Sequence, residues 1–271
     1  MQKSYERLKK QEGIPTVPKE RRIRPIHIWQ SAAAILFLLL ASSVYLSTVG
    51  TKAETDLLQQ YIPIAEMRSL TLPDGTKVQL NSKSTLLYPH EFTGDSRSVF
   101  LLGEANFKVK PDKKRPFIVK SNDLQITALG TEFNVSAYPE SQEIATTLIS
   151  GSIRVDYNNL TTSVILHPNE QFAYNRNNKK YDLSNPDMDD VTAWQRGELV
   201  LQKMTLTDII NVLERKYPYT FVYSIKNLKN DRFSFRFKDN APLEEVMEII
   251  VNVVGQMDYR IVEDKCYLTR I

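Results

Sequence analysis

The run from Ile28 to Val49 is the feature that most constrains how this chain can fold. Its sequence, IWQSAAAILFLLLASSVYLSTV, covers 22 residues and contains no charged side chain. A helix rises about 1.5 Å per residue, so this run would form a helix roughly 33 Å long, enough for the roughly 30 Å hydrocarbon core of a bilayer. The sequence therefore predicts a transmembrane helix over residues 28–49.

The charges on either side of this run predict its orientation. Residues 1–27 contain eight basic and three acidic residues, a net charge of +5, whereas the whole chain of 271 residues carries only +3. Because basic flanks stay on the cytoplasmic side, we expect a single-pass inner-membrane protein with a cytoplasmic tail (1–27) and periplasmic C-terminal domains. The alternative is a cleaved signal peptide, but its hydrophobic region would span only about 7–15 residues, and no convincing cleavage site follows.

Beyond the apolar run, residues 50–66 look like a spacer, and residues 67–185 contain many short β-rich segments. Ser69–Leu72 and Thr76–Asn81 flank the turn sequence Pro73-Asp74-Gly75, which indicates a hairpin. Further glycines fall between the later β-rich segments, as expected where turns need positive φ. The sequence predicts an all-β domain over 67–185, either a layered sandwich or a solenoid-like stack, with Gly103 in a turn between two strands.

The pattern changes over residues 186–271. Thr205 has the features of a helix N-cap, and Pro242 and Gly255 suit the start and the end of a second helix. The predicted order is β-α-β-β-α-β-β, a small α+β domain with its helices on one face of a sheet. The only cysteine, Cys266, excludes an intramolecular disulfide and reads as a buried strand residue.

Few residues suggest catalysis, a metal or a cofactor. His90 and Glu91 are adjacent and read as a solvated turn, and Asp74 reads as a turn residue rather than a catalytic acid. Basic residues after the apolar run are scattered and nearly balanced by acids, so we expect no nucleic-acid surface. We expect neither an enzyme, a metal site nor a bound cofactor.

Three phenylalanines form the most prominent aromatic pattern. Phe233, Phe235 and Phe237 alternate along a predicted strand and therefore point to one face. We interpret them as the inner face of the terminal sheet. A ligand-stacking platform is the alternative.

Six motifs follow one another between residues 67 and 180: Leu72–Asn81, Leu87–Pro89, Leu102–Phe107, Arg115–Val119, Leu129–Val135 and Thr146–Gly151. In order and spacing they resemble the FecR family of transmembrane anti-sigma regulators. Trp194–Leu199 and the two-helix region after it resemble the C-terminal domain of those members that end in a module like the short N-terminal domain of secretins and TonB-dependent receptors.

This resemblance implies a signalling function. An outer-membrane TonB-dependent receptor would contact the C-terminal domain through its periplasmic signalling domain. The signal would then cross the single helix and alter the hold on a cytoplasmic extracytoplasmic-function sigma factor. The tail, residues 1–27, is shorter than the family's sigma-binding domain and looks like its remnant. Three explanations are open: this sequence starts late within a longer protein, the tail folds only on its partner, or the chain is a degenerate copy. Of these three we favour the late start.

The resemblance also implies one candidate for self-cleavage. Some FecR-like proteins break a Gly-Thr bond in this region by attack of the threonine hydroxyl on the preceding carbonyl carbon, and the matching residues here are Gly130 and Thr131. The alternative is an ordinary β-turn.

Two other functions remain open at this point. The first is a membrane-anchored periplasmic module that senses a glycan or another envelope ligand directly, which predicts an aromatic-lined pocket in the β-domain. The second is a membrane-anchored hydrolase, which requires converging acids or a nucleophile–base pair.

Overall fold

The computed structural model describes residues 25–50, 56–224, 231–239 and 241–270. The chain divides into two compact units, residues 1–54 and residues 55–271, and each is described by itself. Most of the predicted tail, residues 1–24, lies outside the described residues.

The first unit contains helix α1, Pro25–Gly50, which is 26 residues long and includes the whole predicted span 28–49. Side chains in its middle, such as Phe37 and Leu38, are exposed. Taken over the described residues alone, no helix is both long enough and apolar enough to cross a membrane.

The second unit begins with a β-domain of thirteen strands. Their bounds are β1 Leu57–Tyr61, β2 Arg68–Thr71, β3 Lys77–Leu80, β4 Thr85–Pro89, β5 Arg97–Lys108, β6 Phe117–Lys120, β7 Gln125–Ala128, β8 Glu132–Ala137, β9 Glu143–Ser150, β10 Ile153–Tyr157, β11 Thr162–Leu166, β12 Gln171–Asn175 and β13 Tyr181–Ser184.

These strands form two sheets that share β5. One sheet has the order β1-β4-β5-β6-β7-β10-β11, and the other has the order β2-β3-β5-β8-β9-β12-β13. All pairs are antiparallel except β5 and β6. The structure differs from the predicted spacer 50–66, because β1 pairs with β4 and Ile62 is fully buried. The sequence of β1, LLQQY, does not alternate between apolar and polar residues, so its role as a strand depends on its partner.

Gly103 is the point at which β5 passes from one sheet to the other. Residues before it pair with β4 and β6, and residues after it pair with β3 and β8. Its φ of +104° favours glycine, and a Cβ here would lie 2.7 Å from the Ser84 Cα. The predicted turn at Gly103 is therefore wrong: a glycine inside a strand allows the bend and the close approach that carry β5 between layers.

Aromatic side chains fill the space between the two sheets. The Phe107 and Phe117 rings, one from each sheet, have centroids 5.9 Å apart, and those of Tyr157 and Phe172 are 5.3 Å apart. Of the two predicted architectures, the domain therefore adopts the layered sandwich and not the solenoid-like stack.

The C-terminal domain has the predicted order β-α-β-β-α-β-β. After a short helix α2 and a 3₁₀ turn, its elements are β14 Leu199–Thr205, α3 Leu206–Lys216, β15 Thr220–Val222, β16 Arg232–Phe237, α4 Leu243–Val254, β17 Met257–Val262 and β18 Lys265–Arg270. Helix α2 is Met188–Thr192, and the 3₁₀ turn is Ala193–Arg196.

The predicted caps of both helices are confirmed, but the single predicted sheet is not. The Thr205 side chain accepts a hydrogen bond from the Asp208 N–H, and Pro242 and Gly255 flank α4. The strands form two sheets, β14-β16 and β15-β18-β17, and β15 runs parallel to β18. This pairing joins strands far apart in sequence, which local patterns do not specify.

Candidate functional site

Gly130 and Thr131 lie in the connection that leads into β8. The φ of Gly130 is +152°, and a Cβ there would come within 2.9 Å of the Pro111 Cα. Backbone hydrogen bonds hold both sides of this dipeptide: the Asp112 N–H donates to the Leu129 carbonyl (2.9 Å), and the Val109 N–H donates to the Thr131 carbonyl (2.9 Å). The peptide is therefore fixed in a conformation that needs glycine.

The hydroxyl of Thr131 is enclosed and has no hydrogen-bond partner among the described residues. The residue is 6% exposed, and its Cγ2 methyl packs so closely on Gly151 that a Cβ there would lie 2.6 Å away. A buried hydroxyl without a partner is uncommon in a folded protein. The hydroxyls of Thr127 and Thr146 in the same domain are also buried without a partner among the residues that the structure describes, so this feature does not by itself indicate a nucleophile.

Asp74 is a structural residue, as its turn sequence predicts. Its carboxylate accepts hydrogen bonds from the Thr76 N–H (2.9 Å) and hydroxyl (2.7 Å) and pairs with the Arg97 guanidinium at 2.7 Å. Both charged side chains are almost fully buried. His90 and Glu91, in contrast, are exposed.

The three phenylalanines of β16 face the core of the C-terminal domain, which confirms their interpretation as the inner face of a sheet. Phe235 and Phe237 are buried, and Phe233 packs against the same cluster. The rings stack in sequence, with centroids 6.3 and 5.9 Å apart. The buried rings of Phe235 and Phe237 are therefore not available to stack on a ligand.

Strand β17 is an edge strand of the C-terminal domain. Within the described ranges it pairs only with β18, and its exposed side chains alternate with partly buried ones. The Asp258 carboxylate accepts a hydrogen bond from the Tyr259 N–H (2.8 Å), a donor at the unpaired edge. The Tyr259 hydroxyl donates to the Glu244 carbonyl (3.0 Å), which anchors the strand on α4.

The other sheet of this domain is less suited to pairing. Strand β14 has a bulge before Met204, where Lys203 adopts a φ of +50°. On β16, the Arg236 guanidinium contacts the carboxylates of Asp190 and Glu198. Bulges and such charge networks are devices that block strand addition.

The β-domain contains a cavity of about 410 Å³ at its loop end. Phe100 and Leu160, both large and exposed, line it together with Lys120, Asn159 and Tyr174. Leu160 has a φ of +63°, a conformation that is costly for a side chain without a local hydrogen bond.

Comparisons with known proteins identify both the β-domain and the C-terminal domain. Residues 62–154 match the sequence model of the FecR protein family, and residues 198–268 match the model of the FecR C-terminal domain. Two crystal structures of a candidate anti-sigma factor from Parabacteroides distasonis are 34% identical to this chain, with TM-scores of 0.74 and 0.75. The matches cover 79% and 80% of this chain and 99% and 100% of the other. The chain belongs to the FecR family.

No curated protein sequence matches this FecR-family chain. The sequence did not predict the structural roles of two residues, Arg97 and Arg215. A signal for Arg97 exists, since it occupies an inward position of the alternating strand that also holds Val99 and Leu101. Arg215 lies near the end of an amphipathic helix, where a basic residue is ordinary.

Proposed function

We propose that this FecR-family chain is a single-pass inner-membrane anti-sigma regulator. It would relay a signal from an outer-membrane TonB-dependent receptor to a cytoplasmic extracytoplasmic-function sigma factor. The observation that carries this proposal is the likeness of both exported domains to a protein described as a candidate anti-sigma factor. The anti-sigma role of the present chain is inferred from that likeness.

The membrane anchor in this proposal is the segment 28–49. Its support lies in the sequence, in the uncharged run of 22 residues and the basic tail that precedes it. On this orientation residues 1–27 are cytoplasmic, which is where a sigma factor would bind. Residues 56–271 are then periplasmic.

The receptor's signalling domain is proposed to dock by adding a strand to the edge of β17. Strand addition draws its affinity from main-chain hydrogen bonds, and β17 offers a six-residue edge without proline. The Asp258 carboxylate competes for one of these bonds, because it already holds the Tyr259 N–H. The incoming strand must displace it.

Hydrogen–deuterium exchange with the signalling domain of the cognate TonB-dependent receptor tests this docking mode. We expect new protection within Met257–Val262. Asp258→Ala should tighten binding about 2- to 10-fold, since a net hydrogen bond contributes about 0.5–1.5 kcal/mol. Glu245→Ala removes an equal charge from the exposed side of α4 and serves as the control. Protection elsewhere with none on β17, or equal affinities for the two variants, contradicts strand addition at this edge.

We also propose, as a modification of the chain rather than an enzymatic activity, self-cleavage between Gly130 and Thr131. The unpartnered hydroxyl of Thr131 and the constrained glycine before it support this step. The hydroxyl oxygen would attack the Gly130 carbonyl carbon, the peptide nitrogen would leave with a proton as the new amine of Thr131, and water would hydrolyse the resulting ester. Immunoblots of a C-terminally tagged protein should then show a short fragment that Thr131→Ala abolishes, whereas a full-length band alone argues against cleavage.

A second candidate function is direct binding of an envelope glycan in the β-domain cavity. Phe100 offers an exposed aromatic face for the C–H groups of a sugar, and Asn159 offers an amide for its hydroxyls. Saturation-transfer NMR with glucose, glucuronic acid and N-acetylglucosamine tests it. Signals that Phe100→Ala removes support this function, and no signal from any of the three sugars counts against it.

A further inference from the structure

The two exported domains have separate hydrophobic cores. The core of the β-domain draws its buried side chains from residues 62–174, and the core of the C-terminal domain draws its own from residues 199–268. Among the described residues no side chain belongs to both clusters. Two domains that share no hydrophobic core can move apart with little loss of free energy unless specific polar contacts hold them together.

Arg215 of helix α3 makes the principal polar contacts between the domains. Its Nη1 lies 2.6 Å from the Glu140 Oε1, and its guanidinium carbon stands 3.8 Å from the centre of the Tyr138 ring. The Arg215 side chain extends from the C-terminal domain to the β-domain and is only 11% exposed, because residues of the β-domain cover it. An ion pair and a cation–π contact thus converge on one residue.

The backbone of Arg215 holds a second part of the β-domain. Its carbonyl accepts a hydrogen bond from the Ala65 N–H at 3.0 Å. Ala65 has a φ of +61°, which is unfavourable for alanine and persists only where surrounding contacts enforce it. The docked C-terminal domain supplies one of those contacts.

The residues that Arg215 contacts are connected to the strand that follows the predicted membrane helix. The Tyr138 hydroxyl donates to the Ser82 carbonyl (2.9 Å), and the Ser82 hydroxyl donates to the Glu66 carbonyl (3.0 Å). Ala65 and Glu66 come four and five residues after the end of β1, and only residues 51–56 separate β1 from α1 in the sequence. A change at Arg215 therefore reaches the chain segment that leads to the helix.

We propose that Arg215 is a latch through which receptor docking is transmitted to the membrane-proximal segment. In the latched state its side chain holds Tyr138 and Glu140 and its carbonyl holds Ala65. Docking of the receptor's signalling domain on the C-terminal domain withdraws α3, and Ala65 relaxes to an ordinary backbone conformation. The regulatory role of the latch rests on the docking proposed above.

Hydrogen–deuterium exchange of the full chain in detergent micelles tests the latch without any receptor. In Arg215→Ala the carbonyl remains, so only loss of the side-chain contacts can free the Ala65 amide. We expect its exchange to rise at least tenfold while the amides of both cores stay protected, and Arg215→Lys to lie in between. Arg154→Ala, which breaks the ion pair with Asp156 inside β10, is the matched control and should leave Ala65 unchanged.

Two outcomes overturn the latch: unchanged exchange at Ala65 in Arg215→Ala, or loss of protection throughout both cores, which would make Arg215 a general structural residue. The receptor arm separates the two proposals. Addition of the receptor's signalling domain to the wild type should protect β17 and expose the Ala65 amide together. Protection of β17 with no change at Ala65 refutes the latch and leaves docking intact. If β17 gains no protection, the proposed docking at this edge is refuted. The Arg215 variants alone then show whether the Arg215 side chain holds the two domains together.

Discussion

Breaking the buried ion pair between Asp74 and Arg97 should destabilise the β-domain more than breaking any exposed pair. The two side chains are 4% and 1% exposed, and their charged atoms are 2.7 Å apart. Arg97 also donates to the carbonyls of Arg115 and Lys110, both at 2.9 Å. The pair thereby fastens the β2–β3 turn to the start of β5 and to the segment before β6.

Asp74→Ala removes the carboxylate and leaves the Arg97 guanidinium buried without its counter-charge. Breaking a buried pair in this way costs about 3–5 kcal/mol, and a whole domain is stable by only about 5–15 kcal/mol. The two remaining carbonyl partners of Arg97 favour the lower limit, so we expect a loss of about 3 kcal/mol. Asp74→Asn keeps an acceptor for Thr76 and should lose less.

Urea titration of residues 56–271, followed by far-UV circular dichroism, measures this loss. With a slope of about 1–3 kcal/mol per molar urea, the midpoint of the β-domain transition should fall by about 1–3 M. Glu66→Ala is the control, because its ion pair with Arg68 is about half exposed and such pairs contribute about 0–1 kcal/mol. Equal midpoints for Asp74→Ala and Glu66→Ala would refute the reasoning.

Three further predictions concern other parts of the fold. Gly103→Ala should destabilise by about 2 kcal/mol or more in denaturant titrations, whereas Gly255→Ala, which meets no atom within 4 Å, should cost about 1–2 kcal/mol for its φ of +67° alone. Thr205→Ala should cost about 1 kcal/mol of unfolding free energy by loss of the α3 N-cap. Burial raises the pKa of the Cys266 thiol to about 11, so its contribution to stability should be complete below the unfolded value of about 8.5 and should disappear as the pH rises to 11. Melting temperatures of wild type and Cys266→Ala should therefore converge or cross between these pH values, and a constant difference would contradict the thiol's role.

Local signals in the sequence predicted much of the secondary structure. The Thr205 cap, the proline before α4 and the glycine after it act within a single turn of chain, so their effects are visible without tertiary structure. The alternation of Phe233 and Phe237 likewise predicted a buried face, since strand side chains alternate by geometry.

The sequence did not predict contacts between segments that are far apart in the chain. Strand β1 lacks a clear pattern and is defined by its pairing with β4. The contact of Arg215 with Glu140 spans 75 residues, and nothing around either residue announces it. The candidate dipeptide Gly130-Thr131 was found by resemblance, but the enclosed hydroxyl of Thr131 became visible only in the structure.

The sequence by itself determined where this protein has an uncharged helix-forming run, where β-rich chain gives way to an α+β domain, and how the order of elements runs to the C-terminus. Periodicity, capping and charge are local properties, and they suffice for these conclusions. Only the tertiary structure decided that β5 serves both sheets through Gly103 and that the C-terminal strands form two sheets. It also decided that Arg215 links two separate cores. Each of these depends on partners remote in sequence, whose pairing is selected by packing of the whole fold.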